Sequence, residues 1–393
     1  MKLLNKIKTF FRETDLILLF TCMLTSAFGV LSVFSAKQWT VTSPGTMPRD
    51  CLIMMIAISV GIVMCIIISL IDYEIMIRLW PIIALVALGL MAALFVIGVG
   101  PSARSDAKTW IRIGSLFYFQ PSELLKVAFI ITFSMHLDML KDKINDIKSI
   151  LLLTVHAAIP TGLVVVTGDL GSALVFMAIF IGMMFIAGVH LRYFAIAMAA
   201  VIIAVPVLWI NFFSDFQKQR FLAVYYPNGL TENAYNTVIY QQQQGINAIG
   251  SGGFFGKGLF KGTYTQNGLV PESENDMIFT VVGEEFGLLG AFLLLSVLLF
   301  IVIKIAYDGK NTKDNVSRLL CDGVALMIAG QVIINIGMCL KALPVIGITL
   351  PFMSAGGSSN LCIYLAIGIV MSVYRFNKER EPVNFRLSRL NTP

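Results

Sequence analysis

Charge is scarce in this chain. Only 13% of its 393 residues are Asp, Glu, Lys or Arg, against about 25% in an ordinary soluble domain. The deficit runs the whole length, which excludes a soluble globular protein and means that length cannot be used to count domains. Histidine is scarcer still: His136, His156 and His190 are too scattered to build a metal cluster. The six cysteines (22, 51, 65, 321, 339 and 362) lie mostly inside apolar runs without CxxC spacing. They read as small buried hydrophobes, which excludes a disulfide framework and a zinc site. No phosphate-binding P-loop, HExxH pair or Ser-His-Asp elbow is present. The net charge of +6 comes from bases that border apolar runs, as topology determinants do, so no nucleic-acid partner is expected.

Hydrophobic residues make up 57% of the chain. A membrane-crossing helix needs about 20 mostly apolar residues. Segments near 16–35, 51–71, 79–98, 122–137, 149–167, 170–188, 192–213, 277–304, 318–340 and 358–375 qualify. The expected fold class is therefore an all-α polytopic membrane protein of about ten transmembrane helices. The first run lacks a small-residue cleavage site and reads as a retained helix. An even number of spans puts both termini on one side, and the distribution of Lys and Arg puts that side in the cytoplasm. Residues 1–14, with Leu3, Leu4, Ile7, Phe10 and Phe11 among bases, form a cytoplasmic juxtamembrane segment suited to lie on the inner leaflet. Residues 15–376 form the transmembrane domain, and 377–393 a basic cytoplasmic tail. Three polar loops then face outward: Val99–Gln120, a large loop over 214–276 between helices 7 and 8, and the Pro-, Gly- and Ser-rich Lys341–Asn360. Pro81, Pro160 and Pro206 interrupt spans, which neighbouring helices can accommodate.

Several polar residues stand where the bilayer makes them expensive. Asp276 closes the large loop just before an apolar run. It reads either as a helix N-cap or as a general base, its pKa lowered by a helix terminus and raised by burial. Glu123 and Lys126, three apart, share a helix face; they form a salt bridge, or Lys126 holds an anionic substrate that Glu123 orients. Asp169 sits in a very short turn and reads as a cap. Glu284 and Glu285 point about 100° apart, one toward a cavity and one toward a helix partner. The glycines from Gly250 to Gly262 lack a dinucleotide-fold context and predict tight turns and close backbone approach to a ligand. Trp110 reads as an interfacial anchor.

The stretches TWIRIG (109–114), QPSELLK (120–126), GDLGSA (168–173), YQQQQGINAIGSGGFFGKG (240–258), VPESENDMIFTVVGEEFGLLG (270–290) and LPVIGITLPFMSAGGSS (343–359) are similar to motifs of the SEDS family. This family of shape, elongation, division and sporulation proteins comprises the RodA, FtsW and SpoVE types. The motifs come in family order and cover nearly the whole chain. The resemblance implies a multi-pass peptidoglycan glycosyltransferase of the bacterial cytoplasmic membrane. Such an enzyme polymerises lipid II, an undecaprenyl-diphosphate-linked disaccharide-pentapeptide, at the outer face, together with a class B penicillin-binding protein, the transpeptidase. It makes Asp276 the catalytic residue, deprotonating the acceptor sugar hydroxyl, and Glu123 and Lys126 a cavity-lining pair. Trp110, Asp169, Glu272, Ser354 and Ser358 fall on other motif positions and are assigned to substrate binding.

The leaving diphosphate requires positive charge, for which Lys126, Arg104, Lys108, Arg112, Arg220 or a divalent cation such as Mg or Mn are the candidates; no covalent cofactor is expected. The LPxxGxxLPF pattern at Leu343–Phe352 favours the RodA, elongation type over the division and sporulation types. Three positions depart from the family pattern: Glu274 and Asn275 replace His-Thr, Ala355 replaces a tyrosine, and Thr109 replaces a base. The rival functions are a lipid II flippase, since buried charge and broken helices also suit transport, and a non-catalytic scaffold for the transpeptidase.

Overall fold

The computed structural model describes residues 13–41, 46–100, 107–114, 117–211, 213, 215–226 and 239–377. Most of residues 1–14 and the tail 378–393, like Arg104, therefore lie outside the described residues.

Each expected span coincides with a helix: α1 (Leu16–Ala36), α2 (Arg49–Ser69), short α3 (Tyr73–Arg78) leading into α4 (Trp80–Ile97), α5 (Pro121–Met139), α6 (Ile147–Val166), α7 (Leu170–Ile186) and α8 (Leu191–Asn211). Within the large loop lie α9 (Asp215–Tyr225), α10 (Tyr240–Gly252) and one-turn α11 (Thr263–Gln266), followed by α12 (Ile278–Lys310), α13 (Asn315–Cys339) and α14 (Gly357–Asn377). Among the described residues, eight helices are long and apolar enough to cross a membrane. Of the two other expected spans, α7 is 17 residues long, and α5 carries Glu123 and Lys126 within its length. Helices are the natural outcome for such runs, because hydrocarbon offers no partner for backbone N–H and C=O groups. Asp15, Asp72, Asp169 and Asp314 cap α1, α3, α7 and α13 by accepting from Leu18, Glu74, Ser172 and Ser317 backbone N–H groups.

The core runs through α13 and α14, each with 78% of its apolar window buried, while α8 has none of its window buried. Small residues let backbones approach. Gly61 packs on Tyr364, and Gly368 on the Cys65 backbone, which holds α2 against α14. All six cysteines are buried and free.

Two features were not legible as apolar periodicity. Residues 98–119 contain a three-stranded antiparallel sheet, β1 (Gly98–Val99), β2 (Trp110–Ile113) and β3 (Phe117–Phe119). Val99 pairs with Trp110 and Arg112 with Tyr118. The second is a break in α12 at Gly287, where φ is +67°. The chain 253–258 docks into this break: Lys257 and Gly258 N–H donate to the Glu284 and Glu285 carbonyls, and the Gly253 and Phe254 carbonyls accept from Leu288 and Leu289 N–H. A Cβ on Gly252 or Gly256 would overlap the Gly283 or Glu285 carbonyl oxygen. Gly252 and Gly256 thus serve close approach to a helix backbone. The hydrogen bonds that α12 loses at its break are restored by a neighbouring strand of chain.

Candidate functional site

At one end of the bundle, residues 270–277 form a tight turn over the start of α12. Glu272 adopts a left-handed backbone, φ +55°, and its carbonyl accepts from both Asn275 N–H (3.0 Å) and Met277 N–H (3.1 Å). The residue in the N-cap position of α12 is Met277, so Asp276 is not the cap that its position in sequence allowed. Its carbonyl instead accepts from Asn335 Nδ2 at 2.7 Å and from Cys339 Sγ at 3.6 Å, both on α13. Asn335 also donates to the Ile348 carbonyl at 2.7 Å, tying the loop that follows α13 to the same point.

The Asp276 carboxylate is buried, at 8% exposure, and accepts a long 3.4 Å hydrogen bond from Gln241 Nε2. Burial first, and the nearby Glu272 and Glu274 charges, push its pKa up to about 7, while Arg220 of α9 pulls it back down. The carboxylate therefore changes protonation near neutral pH, where a general base operates best.

The rest of the turn is fastened on three sides. Glu274 forms an ion pair with Lys37 at the end of α1, and its carbonyl accepts from Ala355 N–H at 2.9 Å. Ser354 Oγ donates to the Asn275 carbonyl at 2.6 Å and accepts from Leu350 N–H. The exposed Glu272 carboxylate accepts from Asn275 Nδ2 at 2.7 Å. Glu284 accepts from Lys257 Nζ (2.9 Å), Tyr264 N–H (2.9 Å), Thr265 N–H (2.8 Å) and Thr265 Oγ1 (2.8 Å), binding the glycine-rich segment to α12. Glu285 turns the other way and accepts from Ser35 Oγ of α1 at 2.6 Å and Gln266 Nε2 at 3.1 Å.

A second polar cluster gathers the remaining motif residues. Asp169 accepts from Gln120 Nε2 (2.8 Å), Ser122 Oγ (2.9 Å) and Ser172 N–H (2.9 Å). Ser358 Oγ accepts from Gln120 N–H and donates to the Tyr118 carbonyl. Lys126 is fully buried and its Nζ lies 2.8 Å from Glu123 Oε1. The loop after α13 joins the two clusters: Ile346 and Ile348 press on Gly171 beside Asp169, Thr349 Oγ1 bonds Ser359 Oγ at 2.9 Å, and the Ile348 carbonyl shares Asn335 with Asp276.

The structure places the remaining predicted residues apart from these contacts. Trp110, half-buried on β2, meets Tyr118 edge-on at 6.5 Å. Lys108 Nζ donates to the Phe95 carbonyl and Arg112 Nε to the Gly114 carbonyl, both at exposed positions. Sequence reading did not single out Gln241, Asn335 or Lys37. Asn335 carried a signal, since an amide in a largely apolar span has to find a partner; Gln241 lay within the quoted 240–258 stretch, and Lys37 carried no signal, because its partner is distant in sequence.

The family model that groups FtsW, RodA and SpoVE, described as cell cycle protein, matches residues 15–379. The peptidoglycan glycosyltransferase MrdB of Escherichia coli strain K12 is 31% identical over 274 residues, covering 69% of this chain and 72% of that protein. A probable peptidoglycan glycosyltransferase FtsW of Geobacter metallireducens is 32% identical over 370 residues, covering 91% and 94%. In fold, a chain from a peptidoglycan synthase complex that coordinates polymerization and crosslinking aligns with a TM-score of 0.79 at 24% identity, over 93% of this chain and 99% of that one. The rod shape determining protein RodA of Thermus thermophilus aligns with a TM-score of 0.67 at 22% identity, over 93% and 98%.

Proposed function

This chain belongs to the cell cycle protein family of FtsW, RodA and SpoVE, and from that membership we infer that it is a membrane peptidoglycan glycosyltransferase. The substrate we assign is lipid II, and the reacting end of the bundle is the end that carries Asp276. By the distribution of Lys and Arg that end faces outward, with both termini in the cytoplasm of a bacterial cell.

The observation that carries the mechanism is the Asp276 carboxylate. Its position is fixed through its own backbone by Asn335, while the carboxylate accepts a long amide hydrogen bond from Gln241 and titrates near neutrality. Asp276 takes the proton from the acceptor sugar hydroxyl as the hydroxyl oxygen bonds to the anomeric carbon of the donor. The bond from that carbon to phosphate breaks, and the lipid diphosphate leaves with the electron pair. A positioned base contributes typically 10²–10⁴-fold to such a step, roughly 3–5 kcal/mol of barrier. We assign Arg220, whose charge is felt at Asp276, to the leaving diphosphate. Lys126, fully buried against Glu123, supports the helix that borders the site. Among the described residues no three His, Cys, Asp or Glu side chains gather as a metal site, so a divalent cation would arrive with the substrate's diphosphate.

The partner we assign is a class B transpeptidase, in keeping with the synthase-complex fold match. The subtype we assign is elongation, which the Leu343–Phe352 pattern favours; fluorescent fusions at the sidewall would support this, and exclusive septal placement would reverse it.

The deciding experiment supplies lipid II to the purified protein and to its Asp276→Ala variant. Loss of polymer in a folded variant is expected, and near-normal polymer would remove Asp276 from the mechanism. Lipid II scrambling in liposomes without polymer synthesis would instead favour a flippase.

A further inference from the structure

Two polar contacts tie α1 to α12 at opposite ends. Asp15, before the first turn of α1, is ion-paired with Lys304 of α12. Ser35 Oγ, in the last turn of α1, donates to Glu285 Oε1 at 2.6 Å. Neither helix carries a charged residue between those points. The two contacts stand roughly twenty residues apart along either helix, or about 30 Å, and a bilayer's hydrocarbon core is about 30 Å thick. Charge inside that core is expensive, so the contacts mark its two faces. Trp39, half-exposed just past the end of α1, stands at the Ser35 face, the usual depth of an interfacial indole.

The glycine-rich segment reaches inside that face. The Gly253 and Phe254 carbonyls accept from Leu288 N–H at 2.9 Å and Leu289 N–H at 3.1 Å, within the turn of α12 that follows Glu285. Phe260 meets Phe34, the neighbour of Ser35, edge-on at 5.9 Å. The Phe254 and Phe255 rings pack edge to face at 4.9 Å and are 57% and 77% exposed. Leu288, Leu289 and Phe292 beside them on α12 are exposed as well.

The segment is built for that depth. Irregular chain is tolerated in a bilayer only where protein satisfies its backbone polar groups, and Gly256, Lys257 and Gly258 N–H donate to the Gly252, Glu284 and Glu285 carbonyls. Lys257 is the single charged residue between Phe254 and Phe260. Its ammonium runs back to Glu284 Oε1 at 2.9 Å and Thr263 Oγ1 at 3.1 Å, as a snorkelling lysine does.

We propose that Phe254, Phe255 and Phe260 form a wedge that enters the acyl chains of the leaflet on the Asp276 side. The wedge anchors the glycine-rich segment, and with it the end of α10 at Gly252, in the bilayer. This needs only the membrane reading of the fold and is independent of the role of Asp276.

The test puts a nitroxide spin label on the full-length protein through Phe255→Cys, alone in phosphatidylcholine nanodiscs. Leu293→Cys on α12 and Asn267→Cys in the loop, both exposed, give the lipid and water references. The six native cysteines are buried, and unsubstituted protein controls for their labelling. Oxygen partitions into hydrocarbon and a nickel chelate into water, so the ratio of their collision rates with the label reads depth. The ratio at position 255 should match that at 293 within about twofold and exceed that at 267 by about tenfold or more. A ratio like that at 267 overturns the proposal. So does a label that neither reagent reaches, because a second copy of the chain would then cover the rings. Phe254→Ser with Phe255→Ser gives a readout without a label: trypsin should cut at Lys261 at least about tenfold faster than in wild type. Phe254→Leu with Phe255→Leu should stay near wild type. Equal cutting of the serine and leucine variants also overturns the wedge, since apolar character would then not be what holds the segment.

Discussion

Lys37, at the end of α1, forms an ion pair with Glu274, two residues before Asp276. Glu274 is an additional carboxylate close to Asp276 and would raise its pKa by repulsion. The ion pair offsets much of that effect. Burial alone would pull the Lys37 ammonium down, yet the bond to Glu274 and its charge hold it above the ordinary value. The base proposed here acts when deprotonated, so if Asp276 is that base the acid limb of the pH–rate profile should inflect near 7. Lys37→Met leaves Glu274 unopposed and should move that limb to higher pH, by up to about one unit. Glu274→Gln should move it lower, and the double variant should return toward wild type. Polymerisation rates between pH 5.5 and 8.5 measure all three; a limb that ignores both single variants would disconnect this pair from Asp276.

The same carboxylate has a consequence for stability. Its folded pKa, about 7, lies above the ordinary value of 3.8, so the folded state holds a proton that the unfolded state has released between those two values. Stability must therefore fall as pH rises from about 4 to 7 and level off beyond. Asp276→Asn removes this penalty. Its melting temperature should exceed that of wild type by more at pH 8 than at pH 5, with polymerisation abolished at both. A uniform stabilisation across pH would mean that the carboxylate is not strained by ionisation.

The helical frame was legible because apolar runs of span length have few alternatives in a bilayer. Asp276 and Asp169 were visible as carboxylates at span boundaries, and the structure gives Asp169 the capping role and denies it to Asp276. The break at Gly287 was hidden: hydropathy is continuous across it, and its cause is a segment some thirty residues earlier in the chain. The 98–119 sheet is too short to show a period in the sequence. Ser354 and Ser358 share a motif, yet their hydroxyls serve backbone groups in different clusters, a division that only the folded loop decides. Arg104 falls outside the described residues.

Lys126 and Glu123 form a buried pair in α5. Removing one partner strands the other charge, which typically costs 3–5 kcal/mol, whereas replacing both with apolar groups of similar size is often close to neutral. Lys126→Met should therefore lower the melting temperature sharply, and Lys126→Met with Glu123→Leu should recover most of it. Activity then separates the roles. A supporting pair predicts that polymerisation recovers with stability in the double variant; an inactive but stable double variant would give Lys126 a direct part in binding substrate.

The broken helix makes the most severe prediction. At Gly287 a side chain would adopt a left-handed backbone, φ +67°, and its Cβ would overlap the Gly256 nitrogen and the Phe254 carbonyl. Left-handed strain costs roughly 1–2 kcal/mol, and overpacking adds about 1–3 kcal/mol. The obstacle is backbone, which cannot rotate away as a side chain can. Gly287→Ala should lose about 2–5 kcal/mol and eject the 253–258 segment from the break. The Lys257 bond to Glu284 would go with it. Gly162→Ala serves as the control, since a Cβ there meets nothing within 4 Å. Limited proteolysis should cut Gly287→Ala near Lys257 and Lys261 while leaving wild type and the control intact. Equal protection in all three would show that the docked segment is held by something other than the helix break.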